Sequence, residues 1–146
     1  FMIKILIIGL SGSGKTTLAK LLAKKLNAKR LNGDKVRKKF NDWDFSIIGI
    51  LRQSKRIEKE SKKYIKSNFV IADFICPFKR GREIFNPDIL IWMDTVKKGR
   101  FKKNSIDHLF EKPKKYDFRI KTKSANKWSI KIYQKIKTMF KIEQTF

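Results

Sequence analysis

The sequence predicts an α/β fold in which helices cover both faces of a mostly parallel sheet, giving three layers. Three observations lead to this fold class. Short apolar runs rich in branched residues recur along the chain, as strands buried on both faces require. Amphipathic helical patterns separate these runs, and strands that alternate with helices form parallel sheets. A glycine-rich segment joins the first apolar run to the first helical pattern, so the first crossover begins with a tight loop.

The first strand is predicted at residues 3–8, and the segment GLSGSGKT follows it at 9–16. This segment fits the P-loop pattern G-x-x-x-x-G-K-[ST], in which glycines let the backbone approach a phosphate at the positive end of a helix. The lysine brings a mobile positive charge, and the hydroxyl after it can bind Mg²⁺. We therefore predict a site for ATP and Mg²⁺, with Lys15 as a catalytic residue and Thr16 as a metal ligand. The predicted ATP-binding residues are Gly9, Gly12, Ser13, Gly14, Lys15, Thr16 and Thr17.

The remaining elements follow from periodicity and turn residues. A helix is predicted at 17–26, where leucines recur on one face. The other predicted helices lie at 35–40, 46–66, 79–85 and 124–140, and the other predicted strands lie at 28–31, 69–72, 89–93 and 118–120. In the long helix, the residues expected on the inner side are Ile48, Leu51, Ile57, Ser61, Tyr64 and Ile65. Together these elements predict a single P-loop kinase-like domain over residues 1–146.

A polar, lysine-rich stretch at 95–105 follows the strand at 89–93. Its large apolar residue is Phe101, so it buries little surface to offset the entropy cost of ordering its backbone. We therefore predict a mobile, lid-like loop that closes on the bound phosphates. An ordinary solvated basic loop is the alternative.

The composition restricts the function classes. The formal net charge is +24 at pH 7, which suits a nucleic-acid partner. The basic residues are spread along the chain rather than gathered in one arm, so we expect no specific nucleic-acid partner. No apolar run is long enough to span a membrane and no signal peptide precedes the first strand, so we expect no membrane partner and a cytoplasmic location. The single cysteine, Cys76, is consistent with a reducing compartment.

Candidates for contact with an acceptor follow the second strand. Asp34 and Arg37 are three residues apart, so both side chains lie on one face of the predicted helix. A carboxylate there can orient an attacking hydroxyl, and a guanidinium can bind the phosphate or sulfate of an acceptor. The same pair also fits a helix cap with a surface arginine, and the residues alone leave both interpretations open.

Four further segments accompany the P-loop in a fixed order. They read LNGDKVR at 31–37, DFS at 44–46, ICP at 75–77 with a later Arg82, and IDHLFEKP at 106–113. With GLSGSGKTT at 9–17, the set resembles the adenylylsulfate kinase family. In chain order, the patterns of that family are G-L-S-G-S-G-K-[ST]-T, L-D-G-D-x-x-R, G-F-S, [IV]-S-P and I-D-x-x-[YF]-E-x-P. Members transfer the ATP γ-phosphate to the 3′-hydroxyl of adenosine 5′-phosphosulfate (APS). The ordered set runs from residue 3 to about residue 120 and is more specific than the P-loop alone.

The resemblance implies that APS is the acceptor and that the product serves sulfate activation. Asp34 would orient or activate the 3′-hydroxyl as a second catalytic residue, and Arg37 would bind APS. Phe45 would stack on the APS adenine, with a buried core position as the alternative. The other residues expected to bind substrate are Arg52, Pro77 and Ile106, together with Lys97 and Arg100 in the lid-like loop. A homodimer is left open.

Two departures from the family patterns affect the acceptor side. The places of a downstream D-R pair hold Gly49 and Ile50, and we expect Arg52 to supply the missing guanidinium from a neighbouring helical position. Cys76 replaces a serine, which excludes phosphoserine chemistry at that position.

Three further departures affect the metal site and the lid. Asn32 replaces the first acid of D-G-D, whereas Asp73 is an additional acid that we expect to hold Mg²⁺ through water. Between Asp94 and Phe110 lie only fifteen residues, so the lid-like loop is shorter than in the family.

Two other functions are considered. Another small P-loop kinase, acting on a nucleoside monophosphate or a small alcohol, would share the loop and the Asp34–Arg37 pair. The 106–113 motif argues against this alternative, because a generic monophosphate kinase does not require it. A nucleic-acid-binding P-loop protein is favoured by the net charge, and the absence of a clustered basic arm argues against it.

Overall fold

The computed structural model describes residues 2–99 and 106–141. Its strands are β1 (Ile3–Gly9), β2 (Lys29–Asn32), β3 (Phe69–Asp73), β4 (Ile89–Met93) and β5 (Phe118–Ile120). Its helices are α1 (Lys15–Leu26), α2 (Gly33–Phe40), α3 (Ile47–Ser61), α4 (Lys79–Phe85) and α5 (Ala125–Met139). Short 3₁₀ helices lie at Lys62–Tyr64 and Ile106–Leu109.

The five strands form one parallel sheet in the order β2-β3-β1-β4-β5. At its centre, Ile5 of β1 pairs with Ile71 of β3 on one side and with Ile89 of β4 on the other. Helices pack on both faces of this sheet. The three-layer α/β fold predicted from the sequence is therefore confirmed.

The core forms two apolar clusters, one on each face of the sheet. Ile5 and Ile7 of β1 point to the side covered by α1 and α5. Leu6 and Ile8 point to the opposite side, where residues of α2, α3 and α4 pack. Successive side chains of a strand point to opposite faces, so a strand buried on both faces needs a continuous apolar run.

The inner side of the long helix agrees with the prediction only in part. Ile48 and Ile65 are 73% and 64% exposed, and the helix gives way to a 3₁₀ turn after Ser61. The Ser46 side chain caps the helix by accepting from the N–H of Gly49 at 3.1 Å, which sets the helical register. Of the predicted inner residues, Ile57 and Ser61 are buried, and the buried stripe also includes the polar Gln53 and Ser54, which the sequence did not predict.

The parallel topology brings the carboxyl ends of all five strands to one edge of the sheet. The segments that leave β1, β2, β3, β4 and β5 therefore meet there, and such edges are where open α/β sheets bind ligands. Among the described residues, no helix has the length and apolar character needed to cross a bilayer.

Candidate active site

A cavity of about 950 Å³ opens at this edge of the sheet, and residues that follow every strand contribute to its walls. We call one side the donor half; it comprises residues 11–17 of the P-loop together with Thr122, Lys123 and Trp128. We call the other side the acceptor half; it comprises Asp34, Arg37, Trp43, Phe45, Ile50, Gln53, Cys76, Pro77 and Ile106. The volume is in the range of sites for small molecules and cofactors.

The P-loop in the donor half depends on a glycine at its first position. Gly9 has φ +153°, and a Cβ there would lie 2.7 Å from the carbonyl oxygen of Met93 and 2.8 Å from Ser13 Oγ. A larger residue would therefore push β1 away from β4. Gly9 does not line the cavity and contributes to the loop through its close packing against Met93 of β4.

The end of the P-loop leads directly into α1, whose first turn holds no acidic residue. The positive end of the helix is thus available to an anion. The Lys15 ammonium donates to the carbonyl oxygen of Leu10 at 2.8 Å, so the side chain lies back over its own loop. A bound phosphate would offer this ammonium a charged acceptor.

Asp73 lies at the end of β3, next to the P-loop, and is 1% exposed. Arg30 donates to both of its carboxylate oxygens at 2.8 Å, and Thr16 Oγ1 lies 3.4 Å from Oδ2. Burial raises the pKa of Asp73 above its ordinary value, while the hydrogen bonds from Arg30 and Asn32 oppose that rise.

The contacts of Asn32 explain why an amide replaces an acid at this position. Its Oδ1 accepts from the N–H of Lys35 at 3.2 Å and caps α2, while its Nδ2 donates to Asp73 Oδ2 at 2.9 Å. An aspartate at 32 would set two carboxylates against each other, because its side chain has no N–H to donate. Asn32 and the additional acid Asp73 are therefore complementary.

The donor set beside the P-loop fits Mg²⁺. The hydroxyl of Thr16 and the carboxylate of Asp73 are hard oxygen ligands, which Mg²⁺ prefers, and Mg²⁺ usually takes only one or two protein ligands beside waters and phosphates. The described residues hold no cluster of three His, Cys, Asp or Glu side chains. Arg30 engages both oxygens of Asp73, so this carboxylate suits a role through water rather than direct ligation.

The acceptor half is built around Arg37. Asp34 is exposed in the first turn of α2, and Arg37 is buried one turn later. The Arg37 guanidinium donates to the carbonyl oxygens of Asp42 at 3.0 Å and Asp44 at 3.3 Å, and it stacks on the Phe45 ring with 4.5 Å to the centroid. Burial lowers the pKa of Arg37 from its ordinary value.

Phe45 is 45% exposed and lines the cavity, which excludes the buried core position considered from the sequence. Its ring rests on Arg37, so one face is held by the protein. Trp43, which is half exposed, lines the same wall. These two aromatic rings give the acceptor half a flat apolar surface on which a nucleotide base can stack.

Arg52 is not brought into the cavity. Its guanidinium lies 3.0 Å from Asp42 and 3.5 Å from Asp44, and Ile50 of the same helix lines the wall instead. Two carboxylates in the loop before α3 hold Arg52 at the surface. The structure therefore does not bring Arg52 to the cavity wall, where it was expected to supply a guanidinium to the acceptor.

The remaining predicted substrate-binding residues are divided. Pro77 and Ile106 line the acceptor half, whereas Lys97 is exposed and lies outside the cavity wall. Arg100, and with it most of the predicted lid-like loop at 95–105, lies outside the described residues.

The sequence profile of the family described as adenylylsulphate kinase matches residues 2–95. The chain belongs to the adenylylsulfate kinase family. It is accordingly a kinase that binds nucleotide, and the resemblance seen in the sequence is confirmed. No curated protein matches the chain.

Solved structures of kinases share the fold. The Mycobacterium tuberculosis APS kinase CysC, solved with AMPPNP and APS, is 21% identical with a TM-score of 0.80, over 93% of this chain and 98% of that one. The Acinetobacter baumannii shikimate kinase, solved with shikimate, is 18% identical with a TM-score of 0.65, over 94% of each chain. A hexameric APS kinase from Thiobacillus denitrificans is 21% identical with a TM-score of 0.73, over 98% of this chain and 30% of that one.

In this member of the family, Arg82 supports the acceptor half without lining the cavity. It is buried, and its guanidinium donates to the carbonyl oxygens of Cys76 at 3.0 Å, Pro77 at 3.2 Å and Glu111 at 2.6 Å. Arg82 thus joins the turn after β3 to the end of the 106–113 motif. Cys76, in that turn, has φ +47°, and burial raises the pKa of its thiol to about 12.

Sequence reasoning missed three residues of this kinase that line the donor half, namely Thr122, Lys123 and Trp128. They follow β5 or lie in the first turns of α5. A signal was present, because β5 was predicted at 118–120 and the carboxyl end of every parallel strand meets the same edge. Trp128 also packs against the apolar cluster that α1 and α5 cover.

Proposed function

We propose that this kinase transfers the γ-phosphate of ATP to the 3′-hydroxyl of APS and forms 3′-phosphoadenosine 5′-phosphosulfate, which is a step of sulfate activation. The observation that carries the proposal is the shared cavity. The P-loop forms its donor half, and Asp34, Arg37 and Phe45 form part of its acceptor half. This arrangement suits two nucleotides that meet end to end.

The donor half supplies positioning and positive charge. The backbone N–H groups of the P-loop and the Lys15 ammonium would hold the β- and γ-phosphates, where charge spreads over the transferred group. Thr16, with Asp73 through water, would hold Mg²⁺, which screens the negative charge of the phosphates when bound.

The acceptor half supplies the nucleophile. Asp34 is exposed toward the cavity and would accept a hydrogen bond from the 3′-hydroxyl, which directs the oxygen at the γ-phosphorus. As the bond from O3′ to phosphorus forms, the bond to the β–γ bridging oxygen breaks and ADP leaves. The hydroxyl proton passes to the Asp34 carboxylate and then to solvent.

Recognition of APS rests on Arg37 and Phe45. Arg37 would bind the phosphosulfate, since a buried guanidinium pairs strongly with such oxyanions. Phe45 would stack on the adenine with the ring face that Arg37 leaves free. Ile50 stands where a second arginine is expected, so we propose weaker APS binding than in members that retain it.

One assay tests the proposal. The chain is supplied with ATP and Mg²⁺ and offered APS, the four nucleoside monophosphates or shikimate, and ADP release is measured. We expect kcat/KM for APS to exceed that for each other acceptor by about 100-fold or more. The Lys15→Ala variant provides the background rate. Turnover of a monophosphate or of shikimate without turnover of APS would refute the assignment of the acceptor.

A further inference from the structure

The segment that leaves β4 contacts the P-loop at two places, one before and one after residues 100–105 in the chain. On the β4 side, the Thr95 hydroxyl donates to the carbonyl oxygen of Ser13 at 2.6 Å. On the far side, the Asp107 carboxylate accepts from the N–H of Ser11 at 2.8 Å and from the Ser11 hydroxyl at 2.6 Å. Ser11 and Ser13 flank Gly12, so these hydrogen bonds hold residues 11–13 of the P-loop, which we call its crest.

The approach of Asp107 to the loop is close and buried. Asp107 is 9% exposed and lies in the 3₁₀ turn Ile106–Leu109. Gly99 packs against the same contact, because a Cβ there would lie 1.9 Å from Asp107 Oδ2 and 2.7 Å from Ser11 Oγ. Hydrogen bonds to a carboxylate are stronger than bonds between neutral groups, so Asp107 is well suited to hold the P-loop in one conformation.

The contact also accounts for part of a motif that the proposed mechanism leaves without a role. Ile106 lines the acceptor half, but Asp107 is the neighbouring residue of the 106–113 motif and faces the P-loop. A loop with three glycines can adopt many conformations. Restricting it to one conformation on binding costs entropy, and this cost weakens the binding of phosphate. A carboxylate that holds the loop in this conformation before phosphate binds lowers that entropy cost.

We propose that Asp107 and Thr95 are positioning residues for the nucleotide, which hold the crest of the P-loop in the shape that receives the phosphates of ATP. The Ser11 N–H donates to Asp107 and the Ser13 N–H donates to the carbonyl oxygen of Leu10, so we assign phosphate binding to the N–H groups of Gly12 and of residues 14–17. The proposal concerns the donor half alone and is independent of which acceptor the kinase uses.

The test is calorimetry of the full chain with AMPPNP and Mg²⁺, without any acceptor. Asp107→Ala is expected to weaken AMPPNP binding about tenfold, and Asp107→Asn, which keeps an oxygen for the Ser11 N–H, to stay within about threefold of the unsubstituted chain. Thr95→Val and Ser11→Ala each remove one hydroxyl bond and are expected to cost about threefold.

Asp88→Ala is the matched control. The Asp88 carboxylate accepts from the N–H of Lys4 at 2.8 Å, a bond of the same kind at the opposite end of the sheet. We expect it to lower the melting temperature while leaving AMPPNP affinity unchanged. If Asp107→Ala behaves in the same way, Asp107 is only structural and the proposal is overturned.

Three further outcomes have distinct consequences. If Asp107→Ala does not fold, Ser11→Ala and Thr95→Val carry the test, and unchanged AMPPNP affinity in both overturns the proposal. If the unsubstituted chain does not bind AMPPNP, the proposal also falls. Normal AMPPNP binding with no turnover of APS would instead refute only the proposed acceptor.

Discussion

The two halves of the cavity differ in how closely they follow the patterns of the family. In the donor half, residues 9–17 reproduce the family's loop, and backbone geometry dictates several of them, as Gly9 between β1 and β4 illustrates. In the acceptor half, Ile50 replaces a charged position and Arg52 is held at the surface by Asp42 and Asp44. In this chain, the half proposed to hold phosphate through its backbone keeps the family's residues, whereas the half proposed to work through side chains departs from them.

The largest expected effect lies in the donor half. Lys15→Ala should lower kcat by about 1000-fold, because the ammonium stabilises charge that develops on the transferred phosphoryl group. ADP release in the presence of APS measures this loss. Lys20→Ala, at an exposed position of the same helix, should retain normal turnover. Normal turnover of Lys15→Ala would break the assignment of the donor half.

The next effect separates chemistry from binding in the acceptor half. Asp34→Asn should lower kcat about 100-fold, since the amide cannot take the proton of the attacking hydroxyl. The affinity for APS, measured by calorimetry, should change much less. Lys35→Ala, the exposed neighbour, is the control. A loss confined to APS affinity would make Asp34 a binding residue only.

A smaller effect is expected for the aromatic wall. Phe45→Ala should raise KM for APS about tenfold and leave KM for ATP unchanged, because the lost stacking concerns one base. Ile47, which is exposed and outside the cavity wall, provides the control as Ile47→Ala. Equal changes in both KM values would indicate that Phe45 supports the whole cavity rather than the acceptor half.

The smallest effect sharpens the contrast between Arg37 and Arg52. Arg52→Ala should change kcat/KM for APS by less than about twofold, since its guanidinium pairs with Asp42 and Asp44 and lies outside the cavity. Arg37→Ala, measured in parallel, should weaken APS binding by more than tenfold, as loss of a charged hydrogen bond to an oxyanion requires. A comparable loss for both variants would mean that Arg52 reaches the substrate.

The sequence was sufficient for features that depend on local pattern. The strands at 89–93 and 118–120 and the helix at 79–85 have the predicted bounds, because apolar runs and turn residues mark them directly. The P-loop could be recognised because its chemistry needs fixed residue types at fixed spacing. The exposed position of Phe45 could not be decided, because it depends on how the loop before α3 packs against Arg37.

Long-range pairing accounts for what the sequence left out. The link between Ser11 and Asp107 spans 96 positions, and Arg30 meets Asp73 across 43 positions, so no local pattern reveals either. The contacts of Arg52 are closer in sequence, 10 positions from Asp42 and 8 from Asp44, but a helical pattern does not show on which side of the helix these carboxylates lie.

The central claim is that one cavity holds a phosphate donor in one half and a nucleotide acceptor in the other. A crystal structure of the chain with AMPPNP, Mg²⁺ and APS tests it most directly. We expect the γ-phosphate on the P-loop, the APS adenine on Phe45, and the APS 3′-hydroxyl within about 3 Å of the Asp34 carboxylate. APS bound elsewhere, or bound here with its 3′-hydroxyl turned away from both Asp34 and the γ-phosphate, would contradict the account.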